Sequence, residues 1–226
     1  MITQYNRPKT LTEALTLIAQ PKTYPLGGGI KLSQFSNDEY AVVDLQALSL
    51  NQMQKKGSKL EVGAATTLQV LFEHPDTPEA LKKAIRHEAS LNTRNLATVA
   101  GTLVTSDGRS PFATMMMALD AELTLKNSEN KAETIRLGDF FPMREETLAN
   151  KLITRITFSA KLNAAYEYVA RTPADKPILC TAVTQWDGGR TRLVLGGWGE
   201  SPTLAMDGKG TDGIGKAAKN AAQDAN

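Results

Sequence analysis

The chain has 226 residues, 41% hydrophobic and 22% charged, and its 26 Lys+Arg against 24 Asp+Glu leave a formal net charge of +2. That length supports one large core or two smaller ones, and no run of five like charges marks a nucleic-acid or membrane face. One cysteine and two histidines leave no intramolecular disulfide or cysteine-ligated cluster and argue against a zinc site; without a bilayer-length apolar stretch or a signal-like Met1–Tyr5, a cytoplasmic protein is expected.

Residues 10–19 open on a cap-like Thr10 or Thr12 and place Leu11, Ala14, Leu15, Leu17 and Ile18 at helical spacing. Pro21-Lys22 breaks the chain, and residues 23–26 form a short strand running into Gly27-Gly28-Gly29. Residues 30–35 predict one helical turn or two, and residues 40–45 and 60–64 are β-rich. Helical patterns return at 67–73 and 78–89, the second with Pro78 near its first turn. A polar stretch at 91–95 precedes a second small-residue loop, Thr98-Val99-Ala100-Gly101-Thr102.

Residues 112–119 read as a buried helix in which Met115, Met116 and Met117 fill core gaps. Residues 121–125 and 133–137 pair around a turn at 127–130, and 152–158 form a further strand. The character changes near 160–163. Beyond it lie strands at 166–171, 178–186 and 191–197, the last two joined by Asp187-Gly188-Gly189-Arg190, a hairpin signal. Residues 214–224 predict a helix with little to bury, so the tail after Gly208 is expected to be mobile or to dock on a partner.

The chemistry sits in the two loops. Glycine permits positive φ and removes the Cβ, so successive N–H groups after a strand can meet an anion, and a helix starting at Ile30 would add its own unpaired donors. Lys31 either adds charge there or points to solvent. The triple glycine is not the spaced pattern of a nicotinamide-binding βαβ unit. Asp107-Gly108-Arg109-Ser110 is either a surface turn or a cofactor contact. His87, between Arg86 and Glu88, is expected to be solvated, and Cys180 to be a buried structural thiol. Trp186 and Trp198 suit packing or an interface. No Ser-His-Asp or paired-carboxylate set is present.

Several stretches in the same order carry a wider likeness: Leu26-Gly27-Gly28-Gly29-Ile30-Lys31-Leu32; Val62-Gly63-Ala64-Ala65-Thr66-Thr67; and Arg94 to Leu103 with Ser106-Asp107. Met117 to Leu123, Asp139-Phe140-Phe141, Leu152-Ile153, Tyr166 to Arg171, and Leu195-Gly196-Gly197 with Ser201-Pro202-Thr203 continue it. Over about residues 5–205 the chain resembles the FAD-binding subunits of molybdenum hydroxylases, of the carbon monoxide dehydrogenase medium-subunit and xanthine dehydrogenase flavin-domain type. The resemblance implies an α+β fold: a two-part, PCMH-type FAD-binding domain at 1–160 (subdomains about 1–50 and 51–160), then a smaller, shortened α+β domain at 161–226. It implies an oxidoreductase subunit that passes electrons from an iron–sulfur subunit, fed by a molybdopterin subunit, through FAD to NAD, a quinone or oxygen.

By the same resemblance, Gly27, Gly28, Gly29, Ile30, Lys31 and Leu32 bind the cofactor together with Val99, Ala100, Gly101 and Thr102, the N–H groups of Gly28 to Lys31 and of Ala100 to Thr102 facing its diphosphate. Thr98 and Asp107 supply side-chain hydrogen bonds, Leu152 or Ile153 packs near the adenine or the ring system, and Tyr168 lies near the isoalloxazine. Four positions depart from the family. Ala100-Gly101-Thr102 replaces Gly-Gly-Asn, Pro111 replaces a carboxylate with Asp107 the nearest one left, and Tyr168 stands where a basic residue is usual. The alternative that Ala100, Thr102 and Pro111 suggest is a flavin-free scaffold subunit.

Overall fold

The chain starts as a small parallel sheet, and the first glycine loop leaves from the edge where its strands end. The computed structural model describes residues 1–34, 37–172 and 175–223. Strands β1 (Ile2–Asn6), β2 (Thr23–Leu26) and β3 (Tyr40–Asp44) run parallel in the order β1-β3-β2, with α1 (Leu11–Ile18) packed on them. Helix α1 starts on a variant of the capping box: Thr10 Oγ1 accepts from Glu13 N at 3.2 Å, and Glu13 reaches one residue beyond the cap to accept from Lys9 N at 3.0 Å. Its buried Ala14, Leu15 and Ile18 meet Val43 and Leu45 in a small core of their own.

β4 (Met53–Lys56) and β5 (Lys59–Gly63) follow, then α2 (Leu68–Glu73), α3 (Glu79–Glu88), α4 (Leu91–Leu96), α5 (Val99–Thr105) and α6 (Pro111–Ala118). The chain returns through β6 (Glu122–Asn127), β7 (Ala132–Arg136), α7 (Leu137–Phe140), α8 (Arg144–Leu148) and β8 (Lys151–Ser159). The five strands form an antiparallel sheet in the order β4-β5-β8-β6-β7. Thr154 is an extra residue in β8, because Thr124 pairs with Arg155 while Leu125 pairs with Ile153. That bulge shifts the phase of the strand. Ile153, Ile156 and Phe158 therefore enter the main core, while Leu152 turns to the small core under α1.

Helix α6 is apolar all round and has every residue buried, as such a helix requires. The last sheet, β9 (Asn163–Val169), β10 (Leu179–Gln185), β11 (Arg190–Gly196) and β12 (Thr203–Lys209), is an antiparallel meander, and α9 (Ile214–Gln223) lies on β12. Ala182 and Val194 share one buried cluster with Phe112, Met115 and Met116 of α6. The α+β expectation holds, and the Asp-Gly turn forms: Trp186 N donates to Arg190 O at 2.9 Å, and Gly189 takes φ +80°.

Several details differ from the sequence reading. The polar stretch at 91–95, given no element in the sequence reading, is most of α4, started by Ser90, whose Oγ accepts from Thr93 N at 3.4 Å. Residues 30–33 make a single turn, with Ser33 N donating to Gly29 O at 2.8 Å; Phe35 lies outside the described residues. The last helix runs to Gln223 with none of its side chains buried, and Asp224 is likewise outside the description. Among the described residues no helix is long and apolar enough to cross a membrane.

Candidate functional site

The two glycine segments meet in space, and the contact explains two of the glycines. A Cβ on Gly28 would stand 1.7 Å from the carbonyl oxygen of Leu96, so only glycine lets the first loop lie against the end of α4. Thr98 Oγ1 fills the seam between the segments. It lies 2.9 Å from where a Cβ of Gly27 would be and 2.7 Å from where a Cβ of Gly101 would be. The hydroxyl accepts from Gly101 N at 3.1 Å as the N-cap of α5, which leaves its own hydrogen free to be donated.

Their backbone donors stand in opposite states. From Gly27 through Leu32, no backbone N–H has a hydrogen-bond partner among the described residues. Gly29 takes φ +74°, a conformation open to glycine, and turns the chain there. The far end of the loop is held by Tyr40, whose hydroxyl donates to Leu32 O at 2.8 Å. In the second segment the backbone donors from Val99 to Thr102 are used: Val99 N to Thr66 O (2.8 Å), Ala100 N to Ala64 O (3.1 Å), Gly101 N to Thr98 Oγ1 and Thr102 N to Thr98 O (2.9 Å). The Thr102 hydroxyl is also spent, donating to Thr98 O at 2.8 Å. Ala100 packs against the main core.

Between the segments opens a cavity of about 270 Å³, lined by Gly27 and Gly28, by Leu45 and Gln46 at the end of β3, and by Asn51, Thr67, Asn95 and Thr98 among others. It sits at the carboxyl edge of the parallel strands, where open α/β sheets commonly take their ligands. Unbonded N–H groups, a free hydroxyl hydrogen and neutral amide side chains can receive an anion with an attached polar group. Nearby, Asp44 is buried at the end of β3, where it accepts from Tyr5 Oη and from Gln46 N (2.9 Å). The Asp44 bond holds the exposed Tyr5 hydroxyl above its ordinary pKa.

Asp107 and Tyr168 do not line that cavity. Asp107 is exposed and caps its own turn, accepting from Arg109 N at 2.9 Å. The next residue is clamped: Gly108 N donates to Gly199 O (3.0 Å) and Gly197 N donates to Gly108 O (2.7 Å), so a Cβ on Gly108 would meet the Trp198 carbonyl. Arg144 braces the same stretch through Val104 O (2.9 Å) and Ser106 O (2.8 Å), and burial depresses its pKa. Leu152 and Ile153 are buried side by side in the two different cores.

Tyr168 lies on β9 with its ring centroid 3.9 Å from that of His87, and Lys83 Nζ is 5.6 Å from the Tyr168 centroid. His87 is therefore not the solvated residue its charged neighbours suggest. It is half-buried, its Nδ1 has no partner, and burial, then Lys83 and Arg86, lower its pKa. The hydroxyl of Tyr166, also without a partner, is buried near the Cys180 thiol, and burial pushes both of their pKa values up.

The sequence reading missed Glu88. Its carboxylate, 9% exposed, accepts from Ser110 Oγ at 2.6 Å and Phe112 N at 3.1 Å and pairs with Lys176 at 3.4 Å. It thus supplies negative charge at the start of α6, beside Pro111, where no side-chain carboxylate exists. A charged residue at the end of a charged helix gave no signal of this, because its partners lie 22 and 24 residues away.

The family model of the FAD-binding domain in molybdopterin dehydrogenase matches residues 1–159. The uncharacterized protein YgfM of Escherichia coli K12 is 27% identical over 201 residues, covering 87% of this chain and 75% of that protein. The nicotinate dehydrogenase FAD-subunit of Eubacterium barkeri is 31% identical over 149 residues, 61% of this chain and 50% of that one. Quinoline 2-oxidoreductase from Pseudomonas putida 86 has the same fold, with TM-score 0.78 at 23% identity over 96% of this chain and 85% of that chain. With the model covering most of its length, the chain belongs to the family of FAD-binding domains of molybdopterin dehydrogenases, flavoprotein oxidoreductases whose cofactor here is FAD.

Proposed function

We propose that this chain is the electron-transfer subunit of a multi-subunit molybdopterin-dependent dehydrogenase or hydroxylase, working beside an iron–sulfur subunit and a molybdopterin subunit. One observation supports it above the rest: the run of N–H groups from Gly27 to Leu32 that have no partner among the described residues, beside a cavity that Thr98 also lines. Those residues fit a diphosphate. When bound, FAD supplies the redox chemistry itself, between the iron–sulfur partner and an acceptor such as NAD, a quinone or oxygen.

What the chain contributes is binding and orientation. Gly27 to Leu32 and the Thr98 hydroxyl hold the diphosphate, and Gln46, Asn51 and Asn95 offer hydrogen bonds to the polar parts of the cofactor next to it. Asp107 and Tyr168 serve the ribityl and isoalloxazine end, on the side where the last sheet meets α3 and α6. Leu152 and Ile153 act from behind, by packing β8 against both cores. We read residues 1–160 as the FAD-binding domain, in two parts that meet near residue 50, and 161–226 as the flanking domain. The family resemblance supports the partner assignment, as does the lack of a second cysteine for a cluster of its own.

The test is flavin content together with partners. Affinity-purified chain from its native host should be yellow and should bring down a cysteine-rich iron–sulfur protein and a large molybdopterin protein. A colourless chain that retains both partners would instead indicate the scaffold role.

A further inference from the structure

We infer that the two glycine segments divide the work unequally: the first loop donates to the diphosphate, while the second is a brace whose polar contribution comes from Thr98 alone. This rests on the FAD reading above. Among the described residues the donors from Gly27 to Leu32 have no partner to give up, so they can bind phosphate oxygens without breaking a hydrogen bond of the described fold. Those from Val99 to Thr102 each hold a bond of 2.8 to 3.1 Å, two tying α5 to the β5–α2 connection and two to its own cap residue, Thr98. Turning them to an anion would break the contacts that place Thr98 in the seam. Ala100 and Thr102, the two departures from the family's Gly-Gly-Asn, therefore cost no affinity. The Ala100 methyl packs on the core and the Thr102 hydroxyl bonds within the helix.

Ile30→Pro isolates one donor of the first loop. Its N–H has no partner among the described residues and it is the first residue of the turn at 30–33, where the donor that proline lacks is not needed by the fold. Ile30→Ala controls for the side chain, and Ala100→Gly and Thr102→Asn restore the family pattern. Each purified, flavin-stripped chain is titrated with FAD by fluorescence quenching and with ADP by calorimetry. The expected result is a loss of roughly tenfold for Ile30→Pro against Ile30→Ala with both ligands, the worth of one charge-assisted hydrogen bond. The two restored variants should stay within about twofold of the parent chain. Equal affinities of Ile30→Pro and Ile30→Ala, or a clear tightening in either restored variant, would overturn the inference. If ADP binds with the expected ranking but FAD does not, the loop assignment stands and the FAD reading falls; if neither binds, both fall.

Discussion

Removing the Glu88 carboxylate should strongly destabilise the chain, because the start of α6 depends on it. The carboxylate is nine-tenths buried, accepts from Ser110 Oγ and Phe112 N, and pairs with Lys176. Hydrogen bonds to a charged group are each worth about 1.5–3 kcal/mol, and truncation leaves the buried Phe112 N–H without a partner. Losing two such bonds, offset by water reaching part of the gap, puts Glu88→Ala at about 3–4 kcal/mol. Glu88→Gln keeps an acceptor for Phe112 N and loses only the charge, so about 1–2 kcal/mol is expected. Urea denaturation followed by circular dichroism reads both, at unchanged slope if the unfolded state is unaffected. A cost below about 1 kcal/mol for Glu88→Ala would rule out this role, because it would mean that α6 does not depend on its borrowed cap.

Three further outcomes follow from the same packing. Gly28→Ala should weaken FAD binding and lower thermal stability together, since its Cβ would overlap the Leu96 carbonyl, whereas Gly57→Ala, with open space around it but φ +62°, should affect stability alone. Tyr166→Phe removes a buried hydroxyl that meets the Cys180 thiol and has no hydrogen-bond partner of normal geometry among the described residues, and should leave stability unchanged or raise it by up to about 1 kcal/mol in the same urea titration. His87 gives a pH dependence with a definite sign. Its folded pKa lies below the ordinary 6.5, so its contribution is fully present above that value and is lost as pH falls through the window beneath it. Unfolding free energy should therefore drop between neutral pH and the onset of carboxylate protonation, and the drop should shrink in His87→Phe; an equal drop in both chains would contradict this.

Much of the fold was legible where local pattern and burial agree. The apolar positions of α1 face the small core, Met115 to Met117 are buried in α6, and the Asp-Gly turn joins β10 to β11. Strands without an apolar face were not legible. β1 is exposed along most of its length and β4 reads Met-Gln-Lys-Lys; both are edge strands held by backbone bonds to their neighbours in the sheet. Helix α4 has no buried residue, so its polar composition concealed it. The site was half visible. Glycine content marks where backbone must approach something. That Gly28 meets Leu96, and that one threonine hydroxyl occupies the space of two missing Cβ atoms, are facts of packing that glycine content does not carry. His87 and Glu88 show the same limit from the other side. Both look solvated in a run of charges, and both are turned inward by the packing of α3 on α6 and β9.

If the Gly27–Leu32 loop and Thr98 receive the diphosphate of FAD, the Thr98 hydroxyl must contribute to affinity. The decisive measurement is a titration of the flavin-stripped chain with FAD, beside Thr98→Val and Thr98→Ser. One FAD per chain is predicted, with affinity lowered roughly tenfold in Thr98→Val and largely kept in Thr98→Ser, which retains the hydroxyl. A chain that takes up no FAD, or one whose affinity is the same with and without the hydroxyl, would contradict it.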